Sequence, residues 1–365
     1  IIPFLILITI VVFIHEYGHY YFAKKYGVGI TDFSIGFGKE IFGWNDKSGT
    51  RWKICWIPLG GYVKFFGDRN VFSQSEQNEI INKYQEEDRK KLFILKPLYQ
   101  RSIIVAAGPI ANFILALIIF LFINIYAGKD MTPAIISEVQ ENSPAYMSGI
   151  KKGDKIISID NRNVESIKEV STFINISTAD EIEFLLLRND TQISILIKPN
   201  LVLGKDSLGN SVKKRMVGIK LSPLNNEFIT QPLSLSKSIY YSFKEVWFVT
   251  TTSLTYLGKM IVGSADTSQL GGPIKIAKIT GQVSEYGIIP FFGVMAYISI
   301  SLGLINLFPI PMLDGGHLMF YLIEKISGKP LSQKIQEGFF RIGLFLLLSL
   351  MFFVTFNDLK DIGLF

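Results

Sequence analysis

The stretch IIPFLILITIVVFIHEYGHYYFAKK, residues 1–25, decides the fold because it joins an apolar run to a cluster of polar side chains. The run from Ile1 to Ala23 suits a helix that crosses a bilayer, which needs about 20 apolar residues. Its second half contains the H-E-x-x-H motif His15-Glu16-Tyr17-Gly18-His19. Residues four apart share a helix face, so both imidazoles can bind one metal ion while Glu16 lies beside the open coordination position.

This motif predicts a zinc hydrolase. A catalytic zinc ion has three protein ligands and keeps a fourth position for water, whose pKa it lowers to roughly 7. Such motifs also arise by chance, but polar groups inside an apolar run are costly unless they have a task. We therefore predict His15 and His19 as ligands of one zinc ion per chain. Glu16 is the predicted catalytic residue, which accepts the water proton and passes it to the leaving amine.

The third ligand must come from elsewhere, because residues 20–29 offer no suitable side chain. The strongest candidate is Asp314 in NLFPIPMLDGGH, residues 306–317, where Pro and Gly break a long uncharged run. Broken backbone at membrane depth is tolerated only where it lines protein or a wet cavity. The alternative is an ordinary carboxylate at a helix end. In the same segment, Asn306 could bind substrate or only a helix carbonyl, and His317 is not predicted as a ligand.

Composition extends the membrane interpretation to the whole chain. Hydrophobic residues make up 48% of the 365 residues, and the mean hydropathy is +0.32. Cys55 is the only cysteine, which excludes an internal disulfide and a zinc knuckle. The net charge of +6 forms no basic stripe, so no nucleic-acid partner is predicted. Four stretches approach the length of a membrane span: Ile1–Ala23, Ser102–Gly128, Gly287–Leu313 and Phe339–Phe356.

The region between the first two spans has a different pattern. Residues 30–67 alternate polar and apolar types at period two and are interrupted by glycines, which predicts a β-ribbon. Its aromatic residues suit a ribbon that dips into the membrane interface, and a small cytoplasmic β-domain is the alternative. Residues Ser73–Lys96 are predicted as a charged helical linker. The first catalytic part of the membrane domain is thus 1–128.

The middle of the chain is predicted to leave the membrane. Residues 129–232 form a soluble module with strands at IEFLLLR and ISILIKP. Residues 233–286 are predicted as an amphipathic segment at the interface, because charged residues are spread through their first half. A fifth span there is the alternative. Residues 287–365 form the second catalytic part of the membrane domain.

Basic residues predict the orientation. Lys and Arg flank the loop between spans one and two, and three Lys lie between spans three and four. Both loops are therefore predicted to be cytoplasmic, with the active site towards that side and residues 129–232 on the other.

Six segments, taken in order, resemble the bacterial site-2 proteases, most closely the branch of the regulator of sigma-E protease. They are HEYGH (15–19), GFG (36–38), IPLGGYVK (57–64), AAGPIANF (106–113), LGGPIKIA (270–277) and NLFPIPMLDGGH (306–317). The resemblance covers nearly the whole chain. It implies an α-helical polytopic membrane protein of the bacterial inner membrane, with four transmembrane helices, a membrane-reentrant β-ribbon and one inserted extracytoplasmic PDZ domain of α+β type.

The resemblance also implies roles for individual residues. His15, His19 and Asp314 would bind zinc, with Glu16 as acid–base. The residues implied to hold the substrate are Asn306 and Pro309, together with Gly60, Gly61, Tyr62 and Val63 of the ribbon, which would clamp it as an added strand. The implied ligand loop of the PDZ domain is Met216, Val217, Gly218 and Ile219. The chain departs from the enterobacterial pattern in having room for one PDZ domain instead of two.

The implied activity is a second cut in regulated intramembrane proteolysis. The partners would be the lipid bilayer and single-span membrane proteins, such as anti-sigma factors or signal-peptide remnants, with the enzyme acting as a monomer. A proteolytically inactive scaffold that binds clients through its PDZ domain is the alternative from another class. A metal transporter is disfavoured, because the chain lacks the repeated halves expected of one.

Overall fold

The computed structural model describes residues 1–67, 84–177, 179–205, 211–223, 229–263 and 271–361. The chain divides into two compact units, one formed by Ile1–Phe120 with Leu270–Phe365 and the other by Leu121–Gln269. The helices of the described residues are α1 (Ile2–Lys25), α2 (Glu86–Arg89), α3 (Leu98–Tyr126), α4 (Pro144–Met147), α5 (Ile167–Ile176), α6 (Leu235–Ile261), α7 (Pro273–Glu285), α8 (Ile288–Asn306), α9 (Asp314–Ser327) and α10 (Gln333–Asp361).

Four of these helices, α1, α3, α8 and α10, are long and apolar enough to cross a membrane. Each coincides with one predicted span. The third span was predicted to continue to Leu313, which is wrong, because α8 ends at Asn306. Pro309 and Pro311 explain the early end, since proline has no N–H for the helical ladder and its ring clashes with the preceding turn. The side on which each helix end lies remains a prediction.

Small residues let the helices of the first unit approach closely. A Cβ on Gly18 of α1 would lie 2.4 Å from the carbonyl oxygen of Ala107 in α3. A Cβ on Gly303 of α8 would lie 3.0 Å from the carbonyl oxygen of Pro109. Close backbone approach through small residues is the usual way in which apolar helices associate in lipid. As a result, α3 packs against both α1 and α8.

The predicted β-ribbon is confirmed as the strands β1 (Ile30–Asn45) and β2 (Arg51–Phe65). Residues 32–35 of β1 pair with 61–64 of β2 on one side and with 51–54 on the other, and 51–54 also pair with 42–45. The two strands therefore fold back into a layer of four short strands. Within the described part of the chain, residues 61–64 form one edge of that layer.

The ribbon is fastened to α1 at its turn. The Asp46 carboxylate accepts hydrogen bonds from the backbone N–H groups of Ser48 and Thr50, at 2.8 and 2.9 Å. It also accepts one from the hydroxyl of Tyr20 in α1, at 2.8 Å. Burial opposes ionisation, but these donors together hold the pKa of Asp46 below its ordinary value. The ribbon turn is thus bound to the helix that carries the H-E-x-x-H motif.

The predicted linker, Ser73–Lys96, is described only from residue 84. There it contains the short helix α2 and a 3₁₀ turn at Phe93–Leu95, and the rest of the prediction lies outside the described residues.

The second unit contains the inserted module. Its strands are β3 (Lys129–Asp130), β4 (Ile136–Val139), β5 (Lys155–Ile159), β6 (Arg162–Asn163), β7 (Ile182–Arg188), β8 (Thr191–Ile197), β9 (Asn200–Lys205), β10 (Ser211–Met216), β11 (Ile219–Leu221) and β12 (Thr230–Gln231). The main sheet has the order β6-β5-β7-β8. In β7, Ile182, Phe184 and Leu186 alternate into the core and are fully buried. Both predicted strands of this module, IEFLLLR and ISILIKP, are confirmed as β7 and β8.

The segment predicted at the interface, 233–286, contains the two helices α6 and α7, which fall in different units. Helix α6 packs on the inserted module, where the ring centroids of Phe248 and Phe173 are 5.6 Å apart. Lys244 of α6 also forms an ion pair with Glu165 of the module. Among the described helices, α6 is not one of those apolar enough to span a membrane. Its position at the interface remains a prediction.

A buried ion pair stabilises the inserted module. The Asp154 carboxylate, 1% exposed, accepts hydrogen bonds from Nε and Nη2 of Arg188, both at 2.7 Å. It also accepts one from the backbone N–H of Lys151 at 2.8 Å. Burial raises the pKa of Asp154, but these donors outweigh it and the net pKa is lowered.

We predict that Asp154→Asn destabilises the inserted module by about 1–3 kcal/mol, because Arg188 loses its charged partner. A lowered pKa stabilises the fold above the unfolded value of about 3.9 and loses that effect as the pH falls. The difference between parent and variant should therefore shrink below about pH 4. Hydrogen exchange of the β5 and β7 amides measures this difference in stability. Asp190→Asn, in an exposed turn, is the control. Equal exchange in parent and Asp154→Asn at pH 7 would contradict the prediction.

Candidate metal centre

Three side chains predicted from separate parts of the sequence meet in the first unit. His15 and His19 lie one turn apart on α1, and their Nε2 atoms are 3.3 Å apart. Oδ2 of Asp314 lies 3.1 Å from Nε2 of His15 and 3.5 Å from Nε2 of His19. These residues form a group able to hold one metal ion. The structure thus brings together all three predicted ligands.

The spacing of the three ligand atoms fits a tetrahedral ion. Bond lengths of about 2.0–2.1 Å to histidine nitrogen and carboxylate oxygen place the corners of a tetrahedron about 3.3 Å apart. The observed separations of 3.1, 3.3 and 3.5 Å form one face of such a tetrahedron. The fourth corner is left for water or substrate.

The hydrogen bonds of the imidazoles also favour a cation. Nδ1 of His19 lies 2.8 Å from the carbonyl oxygen of Ile104, which can only accept, so in the neutral imidazole this nitrogen carries the proton and Nε2 has the free lone pair. Oδ2 of Asp314 is buried and, among the described residues, has no hydrogen-bond donor in suitable geometry. Lone pairs that face one another at this distance repel. A positive ion between them removes the repulsion.

Asn112 of α3 orients the imidazole of His15, as the Ile104 carbonyl orients that of His19. Its side-chain amide lies 3.2 Å from Nδ1 of His15, and its Oδ1 is buried with no partner among the described residues. Because amide O and N are assigned from their partners, a half turn of the amide lets Oδ1 accept from Nδ1–H. Nε2 of His15 is then free to bind metal. Such outer partners fix the tautomer and the ring orientation of histidine ligands.

Gly108 of α3 forms the floor beneath the two imidazoles. A Cβ at this position would lie 2.3 Å from Nε2 of His19 and 2.9 Å from Nε2 of His15. The sequence did not show that α3 orients both histidines. The contribution of Ile104 comes from its backbone carbonyl and therefore has no side-chain signal.

Asp314 is placed by the loop between α8 and α9. It is the first residue of α9, and Met312 just before it has a φ of 88°. A bulky residue in this left-handed region costs about 1–3 kcal/mol, and such strain is typical of functional sites. Gly315 packs against the loop so closely that a Cβ would lie 2.3 Å from the carbonyl oxygen of Leu307. The loop thus holds the carboxylate against the histidines.

The edge of the ribbon lies beside Glu16. A Cβ on Gly61 would lie 3.1 Å from Cγ of Glu16, and the Glu16 carboxylate interacts with the backbone of Val63. Gly60 and Tyr62 lie against the ring of Phe37, with the Tyr62 and Phe37 ring centroids 6.2 Å apart. The predicted ribbon residues are therefore next to the predicted catalytic residue. Their contact with substrate remains a prediction.

The other candidate residues lie outside the ligand group. Asn306 donates a hydrogen bond to the carbonyl of Leu302 in its own helix at 3.0 Å, the alternative left open by the sequence. Pro309 is exposed. His317 packs on Phe340 with ring centroids 5.6 Å apart. The substrate roles of Asn306 and Pro309 remain predictions.

The predicted PDZ ligand loop lies in the second unit. The carbonyl of Val217 accepts a hydrogen bond from the Ala145 N–H, and that of Gly218 accepts one from the Gln140 N–H, both at 2.9 Å. Gly218 has a φ of 84°, and Met216 precedes this turn as the last residue of β10. Ile219 then starts β11, which pairs with β4. The loop is thus well anchored, and its ligand remains a prediction.

Comparison with known proteins identifies the family of this chain. The model of peptidase family M50 matches residues 3–350, so this chain belongs to that family, which is the site-2 protease family. The resemblance predicted from the motifs is confirmed.

Curated relatives match over almost their whole length. Metalloprotease MmpA of Caulobacter vibrioides is 35% identical over 385 residues, which cover 100% of this chain and 96% of MmpA. A protein of Agrobacterium fabrum with the provisional name zinc metalloprotease Atu1380 is 39% identical over 362 residues. The match covers 99% of this chain and 96% of that protein. The solved PDZ domain of an SdrC-like protein from Listeria monocytogenes is 22% identical with a TM-score of 0.20, covering 25% of this chain and 87% of that domain.

We predict that Gly108→Ala removes most of the bound metal from the purified protein, because the new methyl group collides with both imidazoles. Metal per chain, measured by elemental mass spectrometry, checks this. Gly281→Ala in α7 is the matched control, since a Cβ there meets no atom within 4 Å. Full metal content in Gly108→Ala would show that the floor beneath the histidines has the wrong geometry.

Proposed function

We propose that this protein is an intramembrane zinc endopeptidase that hydrolyses peptide bonds within the membrane-spanning segments of single-span proteins. The observation that carries the proposal is the meeting of His15, His19 and Asp314 in a unit built from apolar helices. A polar site of this kind inside apolar helices is costly unless it has a function. The zinc-metalloprotease names of relatives similar along the whole chain support the choice of zinc.

The proposed chemistry assigns a task to each residue of the centre. His15, His19 and Asp314 would hold one zinc ion, which supplies a Lewis acid and a water of lowered pKa when bound. Glu16, beside His15, accepts the water proton and passes it to the leaving amine. Ile104 and Asn112 keep both imidazoles turned with Nε2 towards the ion.

The ribbon edge at residues 61–64 gives the substrate a place to bind. A transmembrane helix hides its carbonyl groups in its own hydrogen bonds, so it must unwind before hydrolysis. An extended segment can add to an exposed sheet edge through main-chain hydrogen bonds. Because Gly61 and Val63 lie beside Glu16, a strand added at this edge would bring its carbonyl groups to the catalytic residue.

Residues distant from the metal centre support a proposal for the orientation of the protein in the membrane. The basic residues of the short loops favour a cytoplasmic side for the active site and an extracytoplasmic inserted module, in a bacterial inner membrane. We propose that the module is a PDZ domain and that the enzyme acts as a monomer. Its substrates would be anti-sigma factors or signal-peptide remnants, cut after a first protease has trimmed them.

Glu16→Gln should lower cleavage of a transmembrane reporter by about 10²–10⁴-fold, because the amide cannot accept the water proton. Metal content should be retained, since Glu16 is not a ligand. Glu285→Gln, an exposed carboxylate at the end of α7, is the control and should cleave like the parent. Reporter cleavage at the parent rate by Glu16→Gln would refute the protease assignment.

Orientation can be tested with single cysteines, because the one native thiol, Cys55, is buried and can be replaced by Ser. Gln192→Cys in the inserted module should react with an impermeant maleimide added to intact spheroplasts. Glu87→Cys in α2, between the first two spans, should react only after the membrane is permeabilised. The opposite labelling pattern would reverse the proposed topology.

A further inference from the structure

One face of α3 collects the contacts that define the metal centre. Ile104, Gly108 and Asn112 follow one another at intervals of four residues, so they lie on the same side of the helix. This face accepts a hydrogen bond from His19, contacts His15 and forms the floor below both rings. Arg101 lies on the same face one turn earlier, and the proposed zinc chemistry does not involve it.

Arg101 forms a nearly enclosed ion pair with Glu324. Nη1 and Nη2 of Arg101 donate to the two carboxylate oxygens of Glu324, at 3.2 and 2.5 Å. The Nε–H of Arg101 donates to the carbonyl of Lys96 at 3.1 Å, and its guanidinium lies 5.0 Å from the ring centroid of Tyr321. The two side chains are only 12% and 19% exposed. Paired geometry with little exposure separates this contact from the weak ion pairs of protein surfaces.

Glu324 belongs to the helix that begins with Asp314. The two residues are ten positions apart on α9, which corresponds to about 15 Å of helix. At its first turn, α9 is held by the tight packing of Gly315 against the loop. Further along, α9 is held to α3 by Arg101. A short helix held at both points has little freedom to slide or pivot. Asp314 therefore keeps its position relative to α3, the helix that orients the histidines.

We propose that Arg101 and Glu324 are a positioning pair, which holds Asp314 at the correct distance from His15 and His19 and thereby sets the metal affinity of the centre. This inference rests on the proposed function, because it takes the three residues to be zinc ligands. It assigns a role at the centre to two residues that touch neither metal nor substrate. Substitution of outer residues that orient metal ligands typically weakens binding about 10–100-fold.

The test measures metal binding by the full-length protein in detergent. Glu324→Gln keeps the size of the side chain but removes its charge, and should weaken zinc affinity about tenfold, as measured by competition with a chromophoric chelator. The visible absorption of the Co²⁺-loaded protein should also change, because the ligand field follows the position of Asp314. Asp88→Asn is the matched control, since it breaks the exposed Lys91–Asp88 pair. It should leave affinity and spectrum unchanged.

Two further variants separate positioning from stability alone. The exchange Arg101→Glu with Glu324→Arg should recover a large part of the affinity lost in Glu324→Gln. Arg101→Lys keeps the charge but loses the paired geometry, and should give an intermediate affinity. It also provides the test if Glu324→Gln does not fold.

The outcomes are distinct. A parent protein that binds no zinc would overturn the proposed function as well as this inference. A parent that binds zinc, with variants of unchanged affinity and unchanged Co²⁺ spectrum, would overturn the positioning role alone. A fall in the unfolding temperature of the variants at constant metal affinity would likewise overturn the positioning role.

Discussion

Repulsion between three unshared electron pairs, held together in an apolar environment, is the constraint on which the site depends. In the neutral imidazole of His19 the N–H group donates to a backbone carbonyl, and Asp314 presents a buried oxygen with no hydrogen-bond donor among the described residues. The hydrogen bond to Ile104 holds His19 in this orientation, and the tightly packed loop before α9 holds Asp314. A cation at the common focus converts this repulsion into binding. The fold therefore favours metal binding, because it holds the ligand atoms in the orientation that a metal ion requires.

Helix α3 is the part of the fold that makes this arrangement rigid. It packs through Gly18 against α1, which carries the two histidines, and through Gly303 against α8, which leads into the loop before Asp314. Ser299 of α8 donates a hydrogen bond to the backbone carbonyl of Asn112 at 2.9 Å, which adds a polar contact between these helices. In lipid, where apolar side chains gain little from burial, close packing and such hydrogen bonds supply much of the association.

The sequence predicted the parts of the site that have a local pattern. The H-E-x-x-H spacing on a helix identified His15, Glu16 and His19, and a charge that ends an uncharged run identified Asp314. Hydropathy located four helices but placed the end of α8 seven residues late, because it counts apolar residues and does not weigh the prolines that stop a helix. Alternation predicted the ribbon, yet gave no sign that its strands fold back into four.

What could not be predicted depends on long-range contacts. Arg101 and Glu324 are separated by 223 positions, and neither has an unusual neighbourhood in the sequence. The hydrogen bond from His19 goes to a main-chain carbonyl, which any residue could provide. Helix α6 has the composition of an interfacial helix, but its packing on the inserted module follows from Phe173 and Phe248, two aromatic residues among many.

The central claim is that two imidazoles and one carboxylate bind a single zinc ion. X-ray absorption at the zinc edge of the purified protein tests it most directly. We expect about one zinc per chain in a shell of nitrogen and oxygen at about 2.0–2.1 Å, with the outer scattering of two imidazoles. Sulfur in that shell, scattering from fewer than two imidazoles, or a protein that purifies without stoichiometric metal and binds none when zinc is added, would contradict it.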